Sequence, residues 1–335
     1  MRHFWFLFLF LLSSCGREPL VQSQSYVFGT LVDISIYGES DERAYQVSNQ
    51  IFQDFQHLHQ QYHAWQKGGE LSQLIQAFAE GRSMTVSPEL AYMLKDASAL
   101  SVKSGGLFNP AIGGLIAQWG FQRDEFTPVE INAAAIQKLV DANPEMTDIV
   151  LEGDKVHSKN TAVKLDLGGY AKGYALDKAA AKLRQLGIKN ALINIGGNII
   201  AIGQHGDQPW RVGIQHPRQP KPMATLDLAD GWAIGTSGDY QRYFEQAGKR
   251  YCHIINPRTG YPAQGTQAVT VLIPPSEHAG VLSDVASKPI FISAPDQRDD
   301  AAQAMGIQYY LVVDAAGHID VSDALKPRVH WLTKP

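Results

Sequence analysis

Apolar and polar positions along the chain recur with the periods of strands and helices. Residues 26–37 alternate, which predicts a strand, and residues 42–59 place Phe52 and Phe55 on one helical stripe. The same reasoning predicts further helices at 88–103, 128–143, 170–186, 278–287 and 296–305. It predicts further strands at 148–151, 163–167, 190–195, 198–203, 210–215, 224–228, 232–236, 250–255, 268–273 and 309–313. Short strands and helices without strict β–α–β alternation predict an α+β fold, with mixed, largely antiparallel sheets and packed helices in one compact two-lobed body.

The N-terminal segment has a different pattern. An unbroken apolar run over residues 4–12 has the length of a signal-peptide core and is too short to span a bilayer. The sequence LSSCG, which ends the segment at Cys15 and Gly16, resembles a bacterial lipobox. We therefore expect residues 1–15 to be a lipoprotein signal peptide ending at a lipidated Cys15. The alternative is a generic signal peptide with a chance cysteine.

These features predict the organisation and the location of the chain. Residues 16–25 are short and polar and are expected to be a tether, and residues 26–330 are expected to form the folded domain. The expected location is the bacterial cell envelope, where the acyl chains on Cys15 would anchor the protein to the membrane, facing the periplasm.

Composition limits the classes of function that the chain can have. It has 335 residues, of which 44% are hydrophobic and 19% are charged, as is typical of a globular protein. The net charge of −4 and the absence of a lysine and arginine run argue against nucleic acid as a main partner. Cys252 is the second of only 2 cysteines, so an internal disulfide is not expected once Cys15 is lipidated. Adjacent side chains of a strand point to opposite faces, so Cys252 and His253 are not expected to form a catalytic dyad.

The segment LDLGGYAKGYALD, from Leu165 to Asp177, carries the clearest chemical signal. It predicts a double-glycine turn that opens a helix, with Asp166 before the turn and Lys172 in the first helical turn. A helix N-terminus attracts anions, and a lysine there is unfavourable unless an anion is bound nearby. The segment therefore predicts a site for a phosphate-bearing ligand, while Asp166 could hold a ribose hydroxyl or a ring nitrogen. A tight turn with a surface lysine is the alternative.

The order of several motifs is more specific than any one of them. FGTLVDISIYG, YHAWQKGGELSQL, DLGGYAKGYA, NIGGNI, GTSGDY, HIINPRTGYP and SDVASKPIF follow one another along the chain, whereas GxGxxG, GxxxxGK[ST] and HExxH motifs are absent. From about Tyr26 onward, the chain resembles the FAD:protein FMN transferases, also called the ApbE or thiamine-biosynthesis lipoprotein family.

The resemblance implies a reaction and its partners. FAD would be the substrate, and its pyrophosphate would be cleaved with a divalent metal, Mg²⁺. FMN would be joined through a phosphoester to a threonine of a target protein, and AMP would leave. The targets would be threonine-bearing subunits of membrane redox complexes.

The resemblance also assigns roles to individual residues. The positions expected to contact FAD are Phe28, Tyr62, Leu107, Phe108, Asn109, Asp166, Lys172, His253 and Ile254. The metal positions are Gly169, through its carbonyl, Asp284, through its carboxylate, and Lys288. His253, as a proton carrier, and Asp284 are the catalytic candidates. The GTSGD turn, with Asp239, is expected near the active site.

Two departures from the family pattern leave alternatives open. Asn109 stands where the family usually has an aspartate, and Lys288 stands where a threonine helps to hold the metal. On a helix, Asp284 and Lys288 would share one face, so the ammonium would compete with a divalent cation, although Pro289 disfavours helical geometry at Lys288. Ser287 is a candidate to supply the missing hydroxyl. The alternatives are a transferase in which Lys288 replaces part of the metal's charge, an FAD-binding lipoprotein with weak or absent transfer, and a metal-dependent FAD pyrophosphatase.

Overall fold

The computed structural model describes residues 19–123 and 125–332, and the expected signal peptide with Cys15 lies outside these ranges. Within them, the strands are β1 Leu20–Val27, β2 Thr30–Tyr37, β3 Met84–Thr85, β4 Ile149–Glu152, β5 Lys155–Ser158, β6 Ala191–Ile195, β7 Asn198–Ile202, β8 Trp210–Gln215, β9 Pro222–Leu228, β10 Ala233–Gly238, β11 Tyr243–Gln246, β12 Lys249–Cys252, β13 Thr266–Ile273, β14 Tyr309–Asp314, β15 Ile319–Val321 and β16 His330–Trp331. The α-helices are α1 Asp41–Tyr62, α2 Glu70–Ala79, α3 Pro88–Lys103, α4 Gly113–Gln118, α5 Ala133–Asp141, α6 Ala171–Gln185, α7 Ala279–Val285, α8 Ser287–Ile292 and α9 Arg298–Met305.

An eight-stranded antiparallel sheet organises the fold, with strand order β1-β2-β6-β7-β10-β13-β14-β15. Three smaller sheets have the orders β16-β9-β8, β3-β5-β4 and β11-β12. Strand β13 is buried at every residue, as expected for a strand that is covered on both faces. The predicted α+β class with largely antiparallel sheets is confirmed.

Hydrophobic clusters cover both faces of the large sheet. On β6, Ile193 belongs to the cluster that includes residues of α1, α3, α6 and α7, whereas its neighbour Leu192 packs against a second cluster with Trp210 and Leu226 of the β8–β9 sheet. Successive strand residues point to opposite faces, which explains this division. Within the described ranges, no helix combines the length and the apolar character needed to cross a membrane.

Two glycines set the distance between helices α6 and α7. A Cβ atom built on Gly173 would lie 2.4 Å from the Gly280 carbonyl oxygen, and one on Gly280 would lie 2.5 Å from the Gly173 carbonyl oxygen. The carboxylate of Asp177 accepts hydrogen bonds from the backbone N–H groups of Gly280 at 2.7 Å and Val281 at 2.9 Å. Only residues without a side chain allow this approach, which brings Asp284 of α7 to the start of α6.

The N-terminal part of the domain differs from two predictions. Residues 20–25 belong to strand β1 and do not form a tether, and the predicted single strand over 26–37 is a hairpin of β1 and β2. The hairpin turns at Phe28 and Gly29, whose φ angles are 56° and 68°. Strand β1 lies at the sheet edge and leaves most of its side chains at least partly exposed, so its polar composition resembled that of a linker.

Other differences from the predicted elements are local. The strand predicted at 163–167 is wrong, because only Lys164 forms an isolated bridge, to Ile112. Helix α2, with Glu70 at its start, was not predicted. The helix predicted at 278–287 ends at Val285, and α8 begins at Ser287.

Candidate active site

Two lysines flank one buried carboxylate between the start of α6 and the end of α7. The Asp284 side chain is 4% exposed, and its Oδ1 atom lies 2.8 Å from Nζ of Lys288. Its Oδ2 atom accepts a hydrogen bond from the Gly173 N–H at 3.3 Å and lies 3.5 Å from Nζ of Lys172. Lys172 also donates to the Gly168 carbonyl oxygen at 3.0 Å. This group, Lys172, Asp284 and Lys288, is called the charge cluster below.

The sequence explains how Lys288 reaches the cluster. Pro289 has no N–H group to continue the hydrogen bonds of α7, so the helix stops and α8 begins afresh. Lys288 nevertheless stays four residues beyond Asp284 on the same face and also donates to the Asp284 carbonyl oxygen. The predicted pairing of Asp284 with Lys288 is therefore confirmed in spite of the proline.

The charges of the cluster determine its protonation. Burial by itself would raise the pKa of Asp284, but the neighbouring Lys172 and Lys288 outweigh it and lower the pKa to about 2. Burial lowers the pKa of Lys288, the Asp284 carboxylate opposes this shift, and the positive charge of Lys172 adds to it. Asp284 is thus an anion at physiological pH. When both lysines are protonated, the two ammonium groups around one carboxylate leave the cluster with one net positive charge.

Asp166 lies in the turn that leads to the charge cluster. Its Oδ1 atom accepts the Gly168 N–H at 2.7 Å, and its Oδ2 atom accepts the Trp65 indole N–H at 2.9 Å. The ammonium group of Lys164 lies over the Trp65 ring, 4.4 Å from its centroid. Asp166 and Lys172 both contact Gly168, so the predicted anion-binding turn is one connected unit.

His253 is close enough to Lys172 and Lys288 for their charges to affect its protonation. The pKa of His253 is lowered to about 3. Desolvation of the ring is the largest cause, and the positive charges of Arg242 and the two lysines act in the same direction. The Nδ1 atom of His253 lies 3.3 Å from the Arg242 carbonyl oxygen. A carbonyl oxygen can only accept a hydrogen bond, so Nδ1 carries the hydrogen of the neutral ring and Nε2 is a proton acceptor.

The loop containing Leu107, Phe108 and Asn109 lies beside the Asp166 segment. The Asp166 N–H donates to the Pro110 carbonyl oxygen at 2.8 Å. The Asn109 side chain donates to the Pro144 carbonyl oxygen at 2.9 Å and accepts the Ala111 N–H at 3.0 Å. An aspartate could not donate to the Pro144 carbonyl oxygen, so the departure at Asn109 has a structural reason. Phe108 is buried and Leu107 is partly exposed.

The remaining predicted residues are either buried or already held by hydrogen bonds. Ile254 is buried. Asp239 is held by Arg218 through two hydrogen bonds of 2.6 Å, and Arg250 lies 3.7 Å away. The Ser287 hydroxyl lies 2.7 Å from the Ser237 hydroxyl and donates to the Asp284 carbonyl oxygen at 3.2 Å, so it is next to the charge cluster but already has partners.

Tyr62 has little surface to offer a flavin. It is 7% exposed, and its hydroxyl donates to Glu89 at 3.2 Å. Tyr174 donates to the other oxygen of the same carboxylate at 2.9 Å. Burial raises the pKa of Tyr62 to about 12. The ring that the structure presents beside Asp166 is that of Trp65, which follows Tyr62 at the end of the same helix.

Trp65 ends a row of partly exposed rings that leads from the β1–β2 turn to Asp166. The centroids of Phe28 and His59 are 5.7 Å apart, and those of His59 and His63 are 4.9 Å apart. His63 accepts the Trp65 backbone N–H at 3.1 Å through Nδ1. Sequence reasoning missed Trp65 and the two histidines, although Trp65 lies in the YHAWQKGGELSQL motif. Such a row can line the flat face of an aromatic ligand.

The residues of the charge cluster fit a divalent metal poorly. Magnesium prefers several oxygen ligands in an octahedron, but both oxygens of Asp284 already face N–H donors. A Cβ atom on Gly169 would lie 2.7 Å from Cε of Lys288, so the lysine side chain packs against the second residue expected to bind the metal. Within residues 19–123 and 125–332, no three histidine, cysteine or acidic side chains are grouped so that they could hold a metal ion.

Comparison with known proteins agrees with the resemblance seen in the motifs. The FAD:protein FMN transferase of Treponema pallidum is 32% identical over 81% of this chain and 80% of its own length. That of Rhodobacter capsulatus is 39% identical over 93% of this chain, which spans 58% of the longer relative. The crystal structure of the ApbE protein from Thermotoga maritima superposes with a TM-score of 0.83 at 27% identity, covering 92% of this chain and 99% of the other. Flavin transferase ApbE from Vibrio cholerae gives a TM-score of 0.78 at 25% identity, covering 93% and 99%.

The family model described as the ApbE family matches residues 28–311, which include every described site residue named above. The chain therefore belongs to the ApbE family.

Proposed function

We propose that this protein is an FAD:protein FMN transferase, which moves FMN from FAD to a threonine of a target redox-complex protein and releases AMP. The observation that carries the proposal is the charge cluster at the N-terminus of α6. Two ammonium groups at the start of a helix, where the helix dipole is positive, form a site suited to a pyrophosphate. The relatives that share this fold are named as FMN transferases.

The reaction is a phosphoryl transfer between two oxygens. The threonine Oγ attacks the phosphorus atom of the FMN half, and a new P–O bond forms. The bond from that phosphorus to the bridging oxygen breaks, and AMP leaves with the bridging oxygen and its charge. Lys172 and Lys288 stabilise the charge that develops there. Nε2 of His253 accepts the hydroxyl proton, because His253 is neutral and its Nδ1 is committed to the Arg242 carbonyl oxygen.

The rest of the ligand has matching surroundings. The row Phe28, His59, His63 and Trp65 offers rings to the isoalloxazine. Asp166, which the Trp65 indole and the Gly168 N–H hold in place, is positioned to accept from a ring nitrogen or a ribose hydroxyl. Magnesium is the family expectation, but the charge cluster fits it poorly, so no step above depends on a metal.

We further propose that the mature protein acts at the periplasmic face of a membrane, anchored through Cys15. The lipobox-like sequence LSSCG supports this location, and threonine-bearing subunits of membrane redox complexes would be within reach of an anchored enzyme. Globomycin, which blocks lipoprotein signal cleavage, should cause the precursor to accumulate in cells that express the wild type. A Cys15→Ser variant should lose its lipid mass.

Mass spectrometry of an acceptor tests the transferase proposal. The purified protein is incubated with FAD and a threonine-bearing redox-subunit domain, with and without Mg²⁺, and the acceptor is examined for the mass of FMN. A domain whose acceptor threonine is replaced by valine, and the His253→Gln variant, are the controls. An FMN-sized gain on the threonine alone is expected. FMN and AMP released without acceptor modification would indicate a pyrophosphatase, and FAD bound but unchanged would indicate a binding protein. Either result would contradict the proposal.

A further inference from the structure

Lys288 lies against both residues that the family resemblance assigns to a metal ion, Asp284 and Gly169. Its side chain is 16% exposed, and Nζ contacts both Oδ1 and the carbonyl oxygen of Asp284. The other carboxylate oxygen faces Lys172 and the Gly173 N–H. Each oxygen of Asp284 therefore already has a positive or N–H partner.

Lys288 also lies against the second residue expected to bind the metal. The methylenes of Lys288 lie against Gly169, since a Cβ atom built there would be 2.7 Å from Cε and 3.3 Å from Cδ. A metal bound to Oδ1 of Asp284 would have to displace the Lys288 ammonium from that oxygen. Displacement would leave a buried ammonium without its carboxylate, which is costly.

The arrangement still has positive charge to offer a ligand. An ammonium group has three N–H donors, and Lys288 uses two of them on Asp284. Lys172 uses one on the Gly168 carbonyl oxygen and pairs with Asp284 at 3.5 Å. Each lysine thus retains donor capacity for a phosphate oxygen at the start of α6.

We propose that the ammonium group of Lys288, together with that of Lys172, replaces the divalent cation, so that this protein transfers FMN without bound metal. This inference rests on the proposed transferase function. The bonds made and broken are those given above. The departing AMP carries the bridging oxygen, the threonine proton passes to His253, and the two ammonium groups offset the charge on the phosphates without an added ion.

An arrangement in which Lys288 only neutralises Asp284 makes a different prediction. In that case the protein would bind FAD at most, and removal of Lys288 would not create a need for metal during transfer. Substitution by threonine, the residue that the family pattern has here, distinguishes the two cases, because it removes the ammonium and uncovers Asp284 and Gly169.

The first experiment measures metal binding without reference to activity. Mn²⁺ is titrated into the FAD-loaded wild type, into Lys288→Thr and into the control Lys326→Thr, and free Mn²⁺ is followed by electron paramagnetic resonance. Lys326 is a matched control because it also pairs with a nearby aspartate, Asp323, but at the surface. We expect no stoichiometric site in the wild type or the control and one Mn²⁺ in Lys288→Thr. One tightly bound Mn²⁺ in the wild type would overturn the inference.

The second experiment compares FMN transfer in EDTA and in Mg²⁺. Wild-type and Lys326→Thr rates should agree within about twofold between the two conditions, whereas Lys288→Thr should lose at least ~10-fold in EDTA and recover with Mg²⁺. Wild-type transfer that stops in EDTA and returns with Mg²⁺ would refute the inference while leaving the transferase function intact. If no variant modifies the acceptor under any condition, the proposed function fails, and the Mn²⁺ titration still decides whether Lys288 excludes metal. Should Lys288→Thr not fold, Lys288→Arg, which keeps the charge, must retain transfer in EDTA.

Discussion

The close contact between α6 and α7 predicts that Gly173→Ala will impair both stability and transfer. The added Cβ atom would lie 2.4 Å from the Gly280 carbonyl oxygen and 2.7 Å from the Val281 Cα, both of which are backbone atoms. Ordinary contact requires about 3.4 Å or more, so the helices must separate by about 1 Å. Asp284 would then move away from the Gly173 N–H and from Lys172.

The expected magnitudes follow from this displacement. Overpacking costs up to about 3 kcal/mol, and replacing glycine by alanine within a helix recovers about 1 kcal/mol. We therefore expect the free energy of unfolding to fall by about 2 kcal/mol. A displacement of about 1 Å at reacting groups can lower a rate by roughly 100-fold, and we expect a loss of that order in FMN transfer by Gly173→Ala.

Urea unfolding followed by circular dichroism and the acceptor mass assay measure the two effects. Gly114→Ala is the matched control, because its Cβ atom would meet only the flexible end of Leu139, at 3.2 Å. The control should change stability by no more than about 0.5 kcal/mol. If Gly173→Ala matches the control in both assays, the glycine contact does not position Asp284.

Three further predictions concern titratable groups. Because the pKa of His253 is lowered to about 3, titration of this residue should not change kcat/KM for transfer above about pH 5, and kcat/KM should fall only as the pH approaches 3. A transition near pH 6.5 that disappears in His253→Gln would contradict this expectation. Burial raises the pKa of Cys252 to about 12, so the native thiol should not react with Ellman's reagent and Cys252→Ala should retain transfer; labelling of the native protein would argue otherwise. Burial raises the pKa of Asp177 to about 7 in spite of the Gly280 and Val281 N–H donors, so its contribution to stability is complete at low pH and is lost as the pH rises through 7. Urea unfolding between pH 5 and 8 should therefore show a smaller pH dependence for Asp177→Asn, and an equal dependence would refute the assignment.

Helices whose ends are marked by capping residues and proline could be predicted from the sequence. Helix α3 has the predicted bounds, because Ser87 caps it through the Leu90 N–H and Pro88 opens it. Strand β1 could not be predicted, since an edge strand buries few side chains and its hydrogen bonds come from a partner. The pairing of Asp284 with Lys288 was predictable because a spacing of four is a local property of helices.

The local sequence does not show which of two aromatic rings, Tyr62 or Trp65, faces the candidate site. Tyr62 and Trp65 both follow the end of the same amphipathic pattern. Glu89 draws the Tyr62 hydroxyl inward, and Asp166 holds the Trp65 indole at the site. Glu89 and Asp166 are distant in sequence, so only the tertiary structure shows which ring is available. The contact of Lys288 with Gly169 also depends on two segments that meet only in the fold.

The early start of strand β1 limits how far an anchored protein could act from the bilayer. Leu20 is already paired with Tyr37, and all eight residues of β1 pair with β2, so the strand cannot release chain without breaking the sheet. Between a lipidated Cys15 and Leu20 there are few residues, and a fully extended chain covers about 3.3–3.6 Å per residue. The segment between the lipid anchor and strand β1 would therefore be shorter than about 20 Å. The folded domain of an anchored protein would therefore stay next to the bilayer, which would favour acceptors held at the same membrane over distant, freely diffusing substrates.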